Sequence, residues 1–376
     1  MKLRFILSFL VGMVLFEISN FSTPATSSVS LLPERQSLRI KLVDDNRALV
    51  TETRYLELQK GENSIYLNYP GVKIIPDSIH IQFVETPEKI KLLQLSTSLR
   101  DASSLTWQIY SEKEGRQLVR VSYLVEGLSA SYSYIAEVGK GEDLVFLDGS
   151  LILQNQTGEE FTKATLTGKE GGRWRIDLKP EEKKRLPLFH SLSFPLQKVY
   201  LLDQEKYAKR VILRYHFINE TGNPLFPGKI RVYQRKKEEL TFLGEDRIEI
   251  TNPGGKVDLL IGSVQDIKVE RKLVEFSRMN LRRDNVGNVE VYDTREKYEI
   301  HLKNRKKEEV KLILREYIPY TWEMVNSEPA DYVKEDAHHI RFEINLAPGE
   351  EKKIYYHIYR KNLFPRDRVK PLMSLQ

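Results

Sequence analysis

The chain has 376 residues, 40% of them hydrophobic and 30% charged, with a formal net charge of +6 and no cysteine. That length exceeds one compact sandwich and suits two or three domains, and the composition is globular, not disordered or membrane-embedded. The lack of cysteine excludes disulfides, thiolate catalysis, Cys-ligated zinc or iron–sulfur sites, and a lipid-anchored export signal.

The N-terminus opens with Met1-Lys2-Leu3-Arg4, continues as an apolar run from Phe5 to Phe16, and passes into a Ser/Thr/Pro/Ala stretch. This order predicts a secretory signal peptide over 1–25, cleaved near Thr23-Pro24-Ala25. The run is shorter than the roughly 20 residues that span a bilayer, and an uncleaved anchor is the alternative. No second apolar run follows, so no membrane span is expected after cleavage. Export without disulfides points to a bacterial envelope, with the protein periplasmic or extracellular.

Beyond the leader, period-two alternation recurs along the chain. In SIHIQF the residues Ile79, Ile81 and Phe83 share one face. In VILRYHF the set is Val211, Leu213, Tyr215 and Phe217, and in HIRFEINL it is Ile340, Phe342, Ile344 and Leu346. Such runs, rich in β-branched and aromatic residues, predict half-buried strands, and no apolar stripe at helical spacing competes with them. The expected fold is all-β, with two to three antiparallel Ig-like β-sandwich domains. Boundaries are expected to give an N-terminal β domain over 31–100, a central β region over 107–296, a C-terminal Ig-like sandwich over 297–361 and a loosely ordered tail over 362–376.

An Asn-centred break between two strand-like runs occurs three times, at Asn155, Asn219 and Asn304. Asn tolerates left-handed backbone and hydrogen-bonds its own turn, so each break reads as a structural device of sandwich building and not a catalytic motif. The phrases LQKGENSIYL (58–67) and LAPGEEKKIYY (346–356) repeat a strand, a Gly-Glu turn and a strand.

Residue chemistry argues against catalysis. Of the seven histidines, His80, His216, His301 and His357 fall at the polar parity of their strands, His338 and His339 are adjacent and point to opposite faces, and His190 stands alone. None has the ligand spacing of a zinc site, so no metal and no cofactor are expected. No G-x-S-x-G elbow, P-loop or dinucleotide fingerprint is present. The basic runs RKKEEL, RKKEEV and PEEKKR are each interleaved with Glu, unlike a nucleic-acid stripe. Nineteen Tyr and three Trp include a cluster of Tyr317, Tyr320 and Trp322 beside Pro319, a candidate aromatic surface for glycan or protein contacts.

The most distinctive stretch is NETGNPLFPGKIRVYQ (219–234), followed by FLGEDRIEITNPGGKVDLLIGSVQDIKVER (242–271). It resembles the secreted bacterial family known as domain of unknown function 4139, whose relatives include mucoidy-inhibitor proteins. The likeness rests on Pro224, Leu225, Pro227 to Val232 and Tyr233, then on Phe242, Gly244, Glu245, Asp246, Ile248, Thr251, Pro253, Gly262 and Asp266. Upstream, VSYLVEGLSASYSYIAEV (121–138) and NQTGEEFTKATLTGKEGG (155–172) look like the family's preceding elements. Two departures stand out: Ile250 occupies a position where many members have His, and no heptads mark the coiled coil of longer relatives. The resemblance implies a link to envelope polysaccharide and transfers no catalytic residues. Within it, Glu245, Asp246 and Arg247 are candidate ligand-binding residues.

Together these readings predict an exported non-enzymatic envelope protein whose sandwiches bind a protein partner or another copy of the chain. A polysaccharide-binding module is the alternative, and a hydrolase with a dispersed site is the second.

Overall fold

The computed structural model describes residues 28–29, 33–69, 71–97, 104–208, 210–236 and 239–365. The expected signal peptide and all of the tail beyond Pro365 lie outside the described residues. The remainder is all-β, built from strands with two 3-10 turns and one four-residue helical turn, Gln204–Tyr207. Period-two sequence becomes period-two burial. His339–Leu346 buries Ile340, Phe342, Ile344 and Leu346 and turns the residues between them outward.

The chain forms two compact units that are not contiguous in sequence. The first holds the described residues up to Leu128 together with Gln156–Thr167 and Arg175–Glu181. The second holds Ser129–Asn155, Gly168–Trp174 and the described residues from Glu182 onward. The expected boundaries near 100 and 296 therefore do not mark the units. Ser104–Ser111 pairs with Gly61–Asn68, and Gly115–Glu126 pairs with Arg47–Leu58, so pairing carries the first unit across the polar stretch that reads as an exit. Val289–Asn304 is one strand running through the second boundary.

In the first unit, a sheet ordered Arg173–Leu178, Phe161–Thr167, Arg35–Leu42, Arg47–Leu58, Gly115–Glu126, Lys73–Ile74, with His80–Phe83 also on Gly115–Glu126, accompanies a second sheet of Ser28–Val29, Gly61–Asn68, Ser104–Ser111 and Ile90–Thr97. Its core includes Trp107, Tyr123, Ile65 and Leu56, all buried. Two charged residues share that apolar parity: Glu52 and Arg54 are buried at alternate positions of Arg47–Leu58. Glu52 accepts from the guanidinium of Arg54 at 2.9 and 3.0 Å, from the Tyr69 hydroxyl at 2.7 Å and from Arg35, which also reaches Glu159. Four donors on one carboxylate offset the cost of burying its charge.

The second unit has three sheets. One is ordered Lys183–Pro195, Leu144–Asn155, Leu128–Val138, Gly228–Lys236, Glu239–Ile248. The next runs Lys256–Val264, Val211–Ile218, Gln197–Asp203, Val310–Tyr317, His339–Leu346, Val333–Lys334, and the last Ile267–Arg283, Val289–Asn304, Glu351–Leu363, Thr321–Glu328. The last two share a core that includes Leu312, Leu314, Ile300, Tyr298, Phe342 and Tyr356. Within it Glu296 accepts from Tyr298 at 2.6 Å, from Thr294 at 2.8 Å and from Arg360, and Glu316 accepts from Tyr356 at 2.9 Å and faces Arg271.

Not every pairing is antiparallel. Leu128–Val138 with Gly228–Lys236, Gln197–Asp203 with Val310–Tyr317, and Phe161–Thr167 with Arg35–Leu42 are parallel, which corrects the expectation of purely antiparallel sheets. Alternation fixes which face of a strand is buried and carries no information on the direction of its neighbour.

The three Asn breaks have a common construction. Asn155, Asn219 and Asn304 are all fully buried. The backbone N–H of each donates to a carbonyl of a later turn: Glu182, Gly255 and Glu350. Asn219 donates its side-chain amide to Asn223 and Thr251 and accepts from the Thr221 N–H; Asn304 donates to Glu308, Leu346 and Ala347 and accepts from the Lys306 N–H. None of the three has a positive φ. At Asn219 and Asn304 the residue is needed for its amide, which closes its own turn and binds a second strand end, and not for left-handed backbone.

Candidate functional site

A cleft of about 360 Å³ opens in the second unit. Five aromatic rings and one carboxylate give it its character: Tyr132, Tyr134, Trp174, Phe189, Phe226 and Glu170. Its volume lies in the range of small-ligand sites.

Strand pairing positions the rings. Tyr132 and Tyr134 lie on Leu128–Val138, whose parallel neighbour Gly228–Lys236 begins just after the loop that carries Phe226. Tyr132 is opposite Gly228 in register, and a Cβ on Gly228 would lie 2.4 Å from the Tyr132 carbonyl oxygen. Glycine is thus required for the two strands to meet. The approach brings Phe226 onto Tyr132, stacked with centroids 4.8 Å apart and planes at 15°, while the Tyr134 hydroxyl donates to the Phe226 carbonyl at 2.9 Å. Phe189 flanks Tyr134 at 6.4 Å.

Glu170 belongs to the turn between Phe161–Thr167 and Arg173–Leu178. Its Oε2 accepts from the Tyr132 hydroxyl at 2.7 Å. A Cβ on Gly168 would lie 2.1 Å from its Oε1, and one on Gly172 would lie 3.0 Å from it and 2.5 Å from the Trp174 ring. The glycines of GKEGG thus make the space in which the carboxylate and the indole sit. Oε1 is buried without a hydrogen-bond partner. Burial pushes the Tyr134 phenol well above its ordinary range, and the Glu170 charge pushes it the same way. Trp174 donates its indole N–H to the Pro187 carbonyl at 3.3 Å and remains half-exposed.

The residues singled out from the sequence lie elsewhere. Glu245 pairs with Lys229 at 2.7 Å and Arg231 at 3.0 Å, and the bond to Lys229 is the chief cause that holds its carboxyl below the usual range. Asp246 accepts the backbone N–H of Arg247 at 2.8 Å and of Leu260 at 2.6 Å. Both acids thus serve the strands around them. Gly244 beside them has no positive φ; a Cβ there would lie 2.5 Å from the Ile261 carbonyl oxygen, so close approach explains it. Tyr317 packs near His338 and His339, Tyr320 is exposed, and Trp322 is buried in the core with its indole N–H on the Ala337 carbonyl at 2.8 Å. These three do not form one exposed platform: Tyr320 precedes the strand Thr321–Glu328 with a positive φ of 69°, which breaks the alternation, and Trp322 within that strand turns into the core. Among the described residues no group of three or more His, Asp or Glu could hold a metal ion.

Sequence reasoning did not select the cleft residues, although three of the four segments on which the resemblance rests contribute to it. Tyr132 and Tyr134 come from 121–138, Glu170 from 155–172 and Phe226 from 219–234. The readable signal was glycine: GKEGG and FPGK each place a residue without Cβ beside a polar or aromatic one. Compared with known proteins, the chain matches no protein-family model and no curated protein.

Proposed function

We propose that the chain is an exported, non-enzymatic protein of a bacterial envelope that recognises its partner through the ring-lined cleft of the second unit. One observation carries this reading: three sequence-distant segments, each distinctive on its own, meet at that cleft. Its polar groups are held in place, Glu170 by Tyr132 and Thr221 by Asn219 and Asn223, which suits recognition of a ligand. Membership of the domain of unknown function 4139 family and an Ig-like character of the sandwiches belong to the same proposal, resting on the motifs and the strand patterning. The basic and apolar N-terminal sequence supports export.

The partner is a protein or a second copy of this chain. A polysaccharide is the second reading, favoured by the half-exposed Trp174 beside a carboxylate, since an indole face packs against a sugar ring while an acid accepts its hydroxyls. Fractionation of the native host should place the chain in the periplasm or medium. Tagged protein should then retain an envelope component that Trp174→Ala loses and Leu240→Ala, an exposed residue outside the cleft, keeps. Cytosolic localisation, or equal retention by both variants, would overturn the reading.

A further inference from the structure

We propose that this cleft binds an organic cation, an ammonium group carried on a small apolar body; this rests on the reading of the cleft as the recognition site and names the chemistry of its ligand. Two other clefts of the chain supply the comparison. In the first unit a cleft lined by Tyr55 also contains Arg116, whose guanidinium lies 3.8 Å from the centre of the Tyr55 ring. In the second unit a cleft lined by Trp322 contains Lys334, whose ammonium lies 4.6 Å from the indole. In both, the chain places its own cation over the ring.

The cleft of Tyr132 and Trp174 has more rings and an acid, yet no Lys, Arg or His lines it. In a chain with 59 Lys and Arg against 53 Asp and Glu, a carboxylate among five rings with no lining cation is a site whose charge is left for a ligand to balance. The faces of the rings present negative potential, and Glu170 adds a full charge in a partly desolvated position. Its Oε2 is fixed by Tyr132 and its buried Oε1 has no hydrogen-bond partner, so the acid is oriented and keeps acceptor capacity. An anion would meet repulsion, and a neutral apolar group would leave the carboxylate without compensation. A cation seated over the rings satisfies both.

The test titrates the full chain, following tryptophan fluorescence and calorimetry, with choline, with Nα-acetyl-lysine amide, with 3,3-dimethylbutan-1-ol as the neutral isostere of choline, and with glucose. At least one cation should bind saturably and at least ten-fold more tightly than the neutral isostere; its preference between quaternary and primary ammonium then identifies the source. Glu170→Gln, which keeps an acceptor for Tyr132, should weaken the cation at least ten-fold and leave the isostere unchanged, with the thermal midpoint preserved. Equal binding of choline and its isostere, tighter binding of glucose, or no saturable binding by folded protein would each overturn the proposal. If cations fail while Trp174→Ala still loses the envelope component, the cation proposal falls and the recognition site stands.

Discussion

The side-chain amide of Asn304 donates to the carbonyl of Leu346 at 3.1 Å, joining the ends of two strands 42 residues apart. The same amide serves Glu308 and Ala347, both at 2.9 Å, at a fully buried position. Asn304→Ala should therefore cost about 1–3 kcal/mol, because it removes from a buried position the amide that the Leu346, Glu308 and Ala347 carbonyls share. Asn345→Ala, on the exposed face of His339–Leu346, should stay within about 0.5 kcal/mol. Urea unfolding of both variants measures the contrast, and equal midpoints would remove the role given to the amide.

Two glycines separate a structural from a functional close approach. The space beside Gly244 is filled by the Ile261 carbonyl, part of the backbone, whereas that beside Gly168 is filled by the end of the Glu170 side chain. Gly244→Ala should lower stability by about 1–3 kcal/mol, the usual cost of overpacking. Gly168→Ala should cost under about 1 kcal/mol, since a flexible carboxylate moves aside, yet should weaken cleft binding by displacing that carboxylate. Denaturation midpoints alongside ligand titration read out both.

Glu52 and Glu159 share Arg35 and respond oppositely to pH. Burial opposes the Glu52 charge, but Arg35, Arg54 and Tyr69 outweigh it and hold its carboxyl below its ordinary 4.5. Burial dominates at Glu159 and raises it above 4.5. The contribution of Glu52 is present above pH 4.5 and is lost as pH falls through its lower folded value; that of Glu159 is complete below 4.5 and is lost as pH rises through its higher one. Glu52→Gln should cost about 3 kcal/mol at pH 7, with the deficit shrinking in acid. Glu159→Gln should compare better with the parent chain at pH 7 than at pH 4. Melting curves across pH 3–8 that show the same trend for both would contradict this assignment.

Arg360 and Glu296 form a buried ion pair in the second unit. Arg360→Met strands a carboxylate and should cost about 3–5 kcal/mol. Adding Glu296→Leu should recover part of that loss, because the double variant buries no lone charge. A double variant less stable than both single variants would show the pair to be net stabilising beyond its charge balance.

Much of the fold was legible because burial has the same period as the strands. Val211, Tyr215 and Phe217 are buried as their alternation requires, and Ile340 to Leu346 behave likewise. The Asn breaks were legible as strand ends, though the long-range amide bonds of Asn219 and Asn304 reach residues 32 to 43 positions away. Glu52, Glu296 and Glu316 were not legible as core, because a charge at an apolar parity reads as an interruption until its partners are known. The cleft was hidden for the same reason. Tyr132, Glu170 and Phe226 are far apart in the chain, and only a parallel strand pair and a glycine turn bring them together.

The way the chain alternates between its two units constrains how the protein is inherited. A gene segment ending at residue 128 would encode the first unit without Phe161–Thr167, the strand that borders Arg35–Leu42. A segment starting at 182 would lack Leu144–Asn155 and the whole of Leu128–Val138, and with them Tyr132 and Tyr134. No single recombination point yields either unit whole, so neither is a portable cassette. Shuffling of the kind that spreads contiguous sandwich modules among proteins can transmit this architecture only as one piece.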